Sequence, residues 1–132
     1  MTISITKAAQ QVVREYKGVS FTIARANNHE YRQRLQLEIK RRSRVNDFSK
    51  LSIEDQDEAI ACSAAGTVLR DWDNLEIDGV QIGFTVENAK DLLLNDPDAR
   101  EFIFAVASTV EEYEQDYNEL LQKKSLPASI GS

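Results

Sequence analysis

An Asp-Gly pair set between alternating apolar residues, in "NLEIDGVQIGF", constrains this chain more than any other feature of it. A two-residue turn of the tight hairpin type needs positive φ at both central positions, and Asp78-Gly79 supplies residues that tolerate it. Ile77 then opposes Val80 and Leu75 opposes Ile82. With Phe84 these side chains share one face, while Glu76 and Gln81 face water. Thr85 follows at once as a helix cap, with Val86, Ala89, Leu92 and Leu93 directed inward. Asn95 and Asp96 close that helix, and Pro97 opens another where its missing N–H costs little.

Around this hairpin the periodicity predicts helices. Asn27 or Asn28 caps a helix over 28–44 in which Tyr31, Leu35 and Ile39 recur every four residues and Leu37 lies off the stripe. Ser52, with Asp55 three residues on, caps a second helix. Its buried face is Ile60, Ala64 and Val68, flanked by Ala61, Ala65 and Leu69, and Gly66 within it serves close packing. Trp72, between two aspartates, then rivets the end of this alanine-rich helix to the hairpin, with Asp71 and Asp73 as a solvated rim.

A final helix over 97–122, roughly 36–39 Å long at 1.5 Å per residue, carries Ile103, Val106, Val110, Tyr113, Tyr117 and Leu120 at spacings of three and four. That is a heptad seam suited to helix-on-helix packing, with the domain's own core, with another copy or with a partner's helices. Ahead of all these, residues 4–15 fit a short helix capped by Ser4 or Thr6, while 12–25 also fit two short strands about Gly18. The expected fold is mainly α: four to five helices and a hairpin near 75–84. It forms one domain over 1–122, with a loose tail at 123–132.

The chain of 132 residues is long enough for one core, and its 42% apolar content argues against disorder. No run approaches the ~20 apolar residues of a membrane span, and the start "MTISITKAAQQ" is unlike a secretory signal. A single cysteine, Cys62, fits a reducing compartment and reads as a small buried apolar group, so cytoplasm is expected. The net charge of −6 hides an asymmetry: residues 1–50 hold 11 Lys/Arg against 4 Asp/Glu, and residues 51–122 hold 3 against 18. The two halves can dock on one another within the chain, or drive association between copies.

Catalytic and metal chemistry find little support. Asp71, Asp73, Glu76 and Asp78 suggest a calcium loop, but its fifth and sixth positions fall on Leu75 and Glu76, where an oxygen ligand and a glycine are needed. One His and one Cys cannot make a zinc site alone. His29 reads as an exposed first-turn residue, the glycines are too scattered to cradle phosphate, and Glu111 and Glu112 read as a solvated pair. No enzyme activity and no cofactor are expected. The rival class is a small nucleic-acid-binding regulator. It would use the basic helix 28–44, where Arg32, Arg34, Lys40, Arg41, Arg42 and Arg44 surround Tyr31, although the acidic remainder of the chain repels a polyanion.

The run from Val68 to Ala107 resembles the tail assembly chaperones of long-tailed, siphovirus-type bacteriophages. The matching features are Trp72 with Asp73, then Gly79, then Phe84, Thr85, Glu87, Asn88 and Ala89, then Leu92 and Leu93, and Pro97 before an apolar helix from Phe102 to Ala107. The upstream "IARANNHEYRQRL" is similar to the start of that family's first long helix, so the likeness spans roughly 21–117. In the family's pattern the tryptophan-acidic pair closes a helix. The resemblance implies a non-enzymatic protein that binds the long, helical tape-measure protein and keeps it soluble. Such a protein releases it as the major tail protein polymerises and is absent from the finished virion. It implies action in the host cytoplasm and, in many members, a longer form made by ribosomal frameshifting, for which Lys123-Lys124 would suit a slippery site. Partner contact is expected at Val110, Tyr113, Tyr117 and Leu120 of the seam and at Arg34, Arg41 and Arg42, with homo-oligomers expected from the opposed charges.

Overall fold

The computed structural model describes residues 10–114. The hairpin at 12–25 forms: β1 (Gln11–Tyr16) pairs antiparallel with β2 (Val19–Ala24). Alternation buries Val12, Phe21 and Ile23 on one face. α1 (His29–Arg42) starts at Asn28, whose side chain accepts from the Tyr31 backbone N–H. A short 3₁₀ turn over Phe48–Lys50 leads to α2 (Ile53–Ala64), capped by Ser52 through a 3.1 Å bond from Asp55 N–H.

Here the structure departs from the sequence reading. α2 does not run on to Leu69. Gly66 takes φ +87°, and the chain turns into a third strand, β3 (Leu69–Asp73), that pairs antiparallel with β2. The sheet order is β1-β2-β3. The fold is therefore mixed α/β, and the mainly α expectation is corrected. The reason is physical: the β2–β3 ladder joins Phe21 to Trp72 and Ser20 to Asp73, partners some fifty residues apart, so no local signal announces it. Val68 and Leu69 satisfy a helical spacing equally well, but the Val68 carbonyl instead accepts from Ala24 N–H at 2.7 Å.

β4 (Glu76–Ile77) and β5 (Val80–Gln81) form the Asp78-Gly79 hairpin, with Asp78 at φ 53° and Gly79 at φ 78° as the turn requires. Ile77 opposes Val80, and Ile82 N–H donates to the Leu75 carbonyl at 2.8 Å. α3 (Val86–Asn95) is capped by Thr85 and α4 (Pro97–Ala107) by Asp96. Ala89, Leu92 and Leu93 are buried as the spacing predicts, whereas Val86 is exposed.

The single helix expected over 97–122 is also corrected. α4 stops at Ala107, Ser108 and Thr109 break the axis, and a new helical turn begins at Val110. Thr109 donates its hydroxyl back to the Ala105 carbonyl at 2.7 Å, a local bond that competes with helix continuation. The three-four spacing survives the break, which hides it from sequence. Of the helix expected over 4–15, residues 11–15 belong to β1 instead, and residues 4–9, the rest of the seam at Tyr117 and Leu120, and the 123–132 tail lie outside the described residues.

α1 packs on α2, α2 on α3, α3 on α4, and α4 on β2. Tyr16 stacks on Phe102 with ring centroids 4.8 Å apart, and Tyr31 leans on Phe104 at 6.0 Å, so the apolar face of α4 is held between the sheet and α1. Among the described residues no helix is long and apolar enough to cross a membrane.

Candidate functional site

Four residues of the sequence signature, Trp72, Phe84, Thr85 and Asn88, meet at one joint. Trp72 lies within β3, one residue before its end, and not at a helix end, which corrects its expected setting. Only 7% of it is exposed. Its ring meets Phe21 edge-on at 6.4 Å and Phe84 at 4.9 Å, and its indole N–H donates to the Ile82 carbonyl at 2.8 Å. The indole thus ties the three-stranded sheet to the outgoing strand of the hairpin. Asn88 donates to the Gly83 carbonyl at 3.0 Å while the Thr85 hydroxyl accepts its backbone N–H, which fixes α3 against the same loop. Asp73, Gly79, Glu87 and Pro97 hold, in turn, the end of β3, the hairpin turn, the first turn of α3 and the first residue of α4. Asp71 and Asp73 are exposed, as a rim should be.

Among the described residues, the expected contact residues fall into two separate places, on α1 and on the turn from Val110. Arg42 bridges α1 to α2: it pairs with Glu38 on its own helix and with Glu58 across the seam at 3.2 Å, and lies 3.9 Å from the Cys62 sulfur. Burial pushes the Glu38 carboxyl up, but its hydrogen bond to Arg42 and the charges of Arg42 and Arg41 outweigh this and leave it below its usual value. Arg34 donates to the Ala65 carbonyl at 3.2 Å, and the mostly exposed Arg41 reaches Glu38. Arg34 and Arg42 thus stitch α1 to the segment following it, within the chain. Cys62 is partly exposed beside Arg42 rather than sealed in the core.

Val110 is half-exposed, but Tyr113 has no exposed surface at all, so it belongs to the core and is withdrawn as a contact residue. Burial pushes its phenol up to about 12. Its hydroxyl finds no hydrogen-bond partner among the described residues. Beside it, Arg14 of β1 donates to the Glu112 carboxylate at 2.7 Å and pins this turn to the sheet.

A groove missed by the sequence reading lies between the hairpin and α3, with a volume of 530 Å³. Leu75, Ile77, Ile82 and Leu92 form its apolar floor, and Glu76, Asp91 and Asp96 stand on its rim. Ile77 is 49% exposed and its neighbour Val80 61%, although both lie on the apolar face of the hairpin. That was the available signal: the hairpin carries more apolar residues on one face than its own α3 covers. Two larger hollows of 710 and 560 Å³ flank Leu37 on α1, but Gln33, Gln36, Lys40 and Arg41 line them, long polar side chains over open solvent. The hairpin groove is the better-built site because packed backbone elements fix its floor. Among the described residues no group of three or more His, Cys, Asp or Glu side chains gathers to hold a metal ion.

The described residues thus form a small mixed α/β module with an apolar, acid-rimmed groove. Residues 26–124 match the model of the family described as YdaY prophage protein, and the chain belongs to that family. It is therefore a phage-related protein. No curated protein and no solved structure matches it.

Proposed function

We propose that this protein is a tail assembly chaperone: a non-enzymatic protein that binds the helical tape-measure protein in the host cytoplasm and keeps it soluble. It hands the tape measure to the major tail protein and is absent from the mature virion. The observation that carries the reading is the Trp72–Ile82–Phe84 joint, where Trp72, Phe84, Thr85 and Asn88 of the chaperone-like pattern meet. Its family membership supports the phage setting. The same joint supports the floor of an open groove, and helix-in-groove docking is a general way to hold an amphipathic partner. Engagement of Arg42 by Glu38 and Glu58 lessens the charge free for nucleic acid, which favours the protein-binding reading over a regulator using helix 28–44. Co-expression with the tape-measure polypeptide of the same prophage tests it. The expected result is tape measure in the soluble fraction, co-purifying with this chain. Tape measure that stays insoluble with this chain and alone alike would overturn the proposal.

A further inference from the structure

We infer that the groove between the β4–β5 hairpin and α3 is the docking site for a cationic amphipathic helix of a partner protein. This rests on the chaperone reading only for the partner's identity, the chemistry of the groove being independent of it.

The occupant follows from charge and shape. The floor offers four apolar side chains, of which Leu75 and Leu92 are packed in the core beneath while Ile77 stands half in solvent. The charged lining residues are all acidic: Glu76 on one wall, Asp91 and Asp96 on the other. An extended acidic peptide is repelled by such a rim, and a purely apolar helix brings no cation to carboxylates whose present partners, Gln81 for Glu76 and the Ala99 N–H for Asp96, are uncharged. A helix with an apolar stripe at i, i+3, i+4 and i+7, flanked by Lys or Arg, satisfies both. The Ile82 carbonyl at the floor is held by the Trp72 indole and the Leu75 carbonyl by Ile82 N–H, so the floor is rigid before anything binds.

A second copy of this chain is the poorer occupant. Its basic helix α1 offers two apolar side chains, Leu37 and the partly exposed Ile39, because Tyr31 and Leu35 pack on their own core. Two side chains do not fill a floor of four.

The test uses the full chain and a synthetic helical peptide of about 20 residues, long enough to hold a helix, with leucines at the four stripe positions and lysines beside them. Two comparison peptides share its design, one with the same composition scrambled and one with glutamates replacing the lysines. Amide chemical-shift mapping should confine the response to residues 75–82 and 88–96, with saturable binding that weakens as salt rises. The folded variants Asp91→Lys and Ile77→Asp, both at exposed positions, should each weaken it at least fivefold. Equal binding of the scrambled peptide, shifts centred on α1, or no saturable binding overturns the inference. So does a groove already filled in peptide-free protein by a second copy, seen as concentration-dependent shifts there and on α1. The tape-measure co-expression separates the two proposals. If both variants still solubilise tape measure, the groove is refuted and the chaperone reading stands. If the peptide maps to the groove but wild-type chain leaves tape measure insoluble, the groove stands and the chaperone reading falls.

Discussion

Replacing Trp72 with phenylalanine removes the indole N–H and the larger ring while leaving an aromatic face for Phe21 and Phe84. The lost bond leaves the Ile82 carbonyl unpaired in a partly buried setting, which costs about 1–2 kcal/mol. The smaller ring gives up about 50 Å² of buried apolar area, or about 1 kcal/mol at ~25 cal/mol per Å². The sum is a loss of about 2–3 kcal/mol. At a urea m-value of about 1.5 kcal/mol/M the midpoint falls by roughly 1–2 M. Circular dichroism is the right probe, because the substitution removes the only tryptophan. A midpoint shift below about 0.3 M, worth ~0.5 kcal/mol, would refute the claim that this side chain locks the sheet to the hairpin.

Arg42→Ala leaves the half-buried Glu38 carboxylate with only the exposed Arg41 and cuts the link to Glu58, so stability should drop by about 1–2 kcal/mol; Arg41→Ala, at a 71% exposed side chain, should stay within about 0.5 kcal/mol. Urea melts of the pair decide this, and equal effects would contradict the seam. Tyr113→Phe deletes a buried hydroxyl without a described partner and should be neutral or stabilising by up to about 1 kcal/mol, whereas a loss above 1 kcal/mol would reveal a partner for that oxygen. Burial raises the Tyr113 phenol to about 12, so the folded state holds its proton where the unfolded state releases it. Stability is therefore complete below pH 10 and falls between pH 10 and 12, and Tyr113→Phe should shallow that fall; identical alkaline profiles would contradict it. Gly66→Ala forces an L side chain to φ +87° with its Cβ 3.3 Å from Val86 Cγ2, and a cost of about 1–2 kcal/mol should appear in thermal melts.

What the sequence revealed, and what it concealed, divides by range. The Asp78-Gly79 turn, the Thr85, Ser52 and Asn28 caps and the Pro97 start are decided within four residues, and each stands where the spacing put it. β3 was illegible because Val68 and Leu69 continue the alanine-rich helix in period, while their actual partners are on β2. Gly66 was the overlooked warning: read as a packing glycine, it is the residue whose positive φ ends the helical course. Ser108 and Thr109 gave a similar warning inside the heptad, overridden by the regular apolar spacing on either side. The spacing leaves Tyr113 free to face its own core or a partner, and the structure buries it in the core. The groove needed tertiary placement, since Leu92 and Ile82 meet only once Trp72 has fixed the hairpin beside α3.

Hydrogen–deuterium exchange of this protein mixed with the tape-measure polypeptide of its prophage addresses the central claim most directly. Docking of a basic amphipathic helix in the hairpin groove predicts slowed exchange over residues 75–96 and unchanged exchange in α1. Unaltered exchange over 75–96, or slowing confined to residues 28–44, would contradict it.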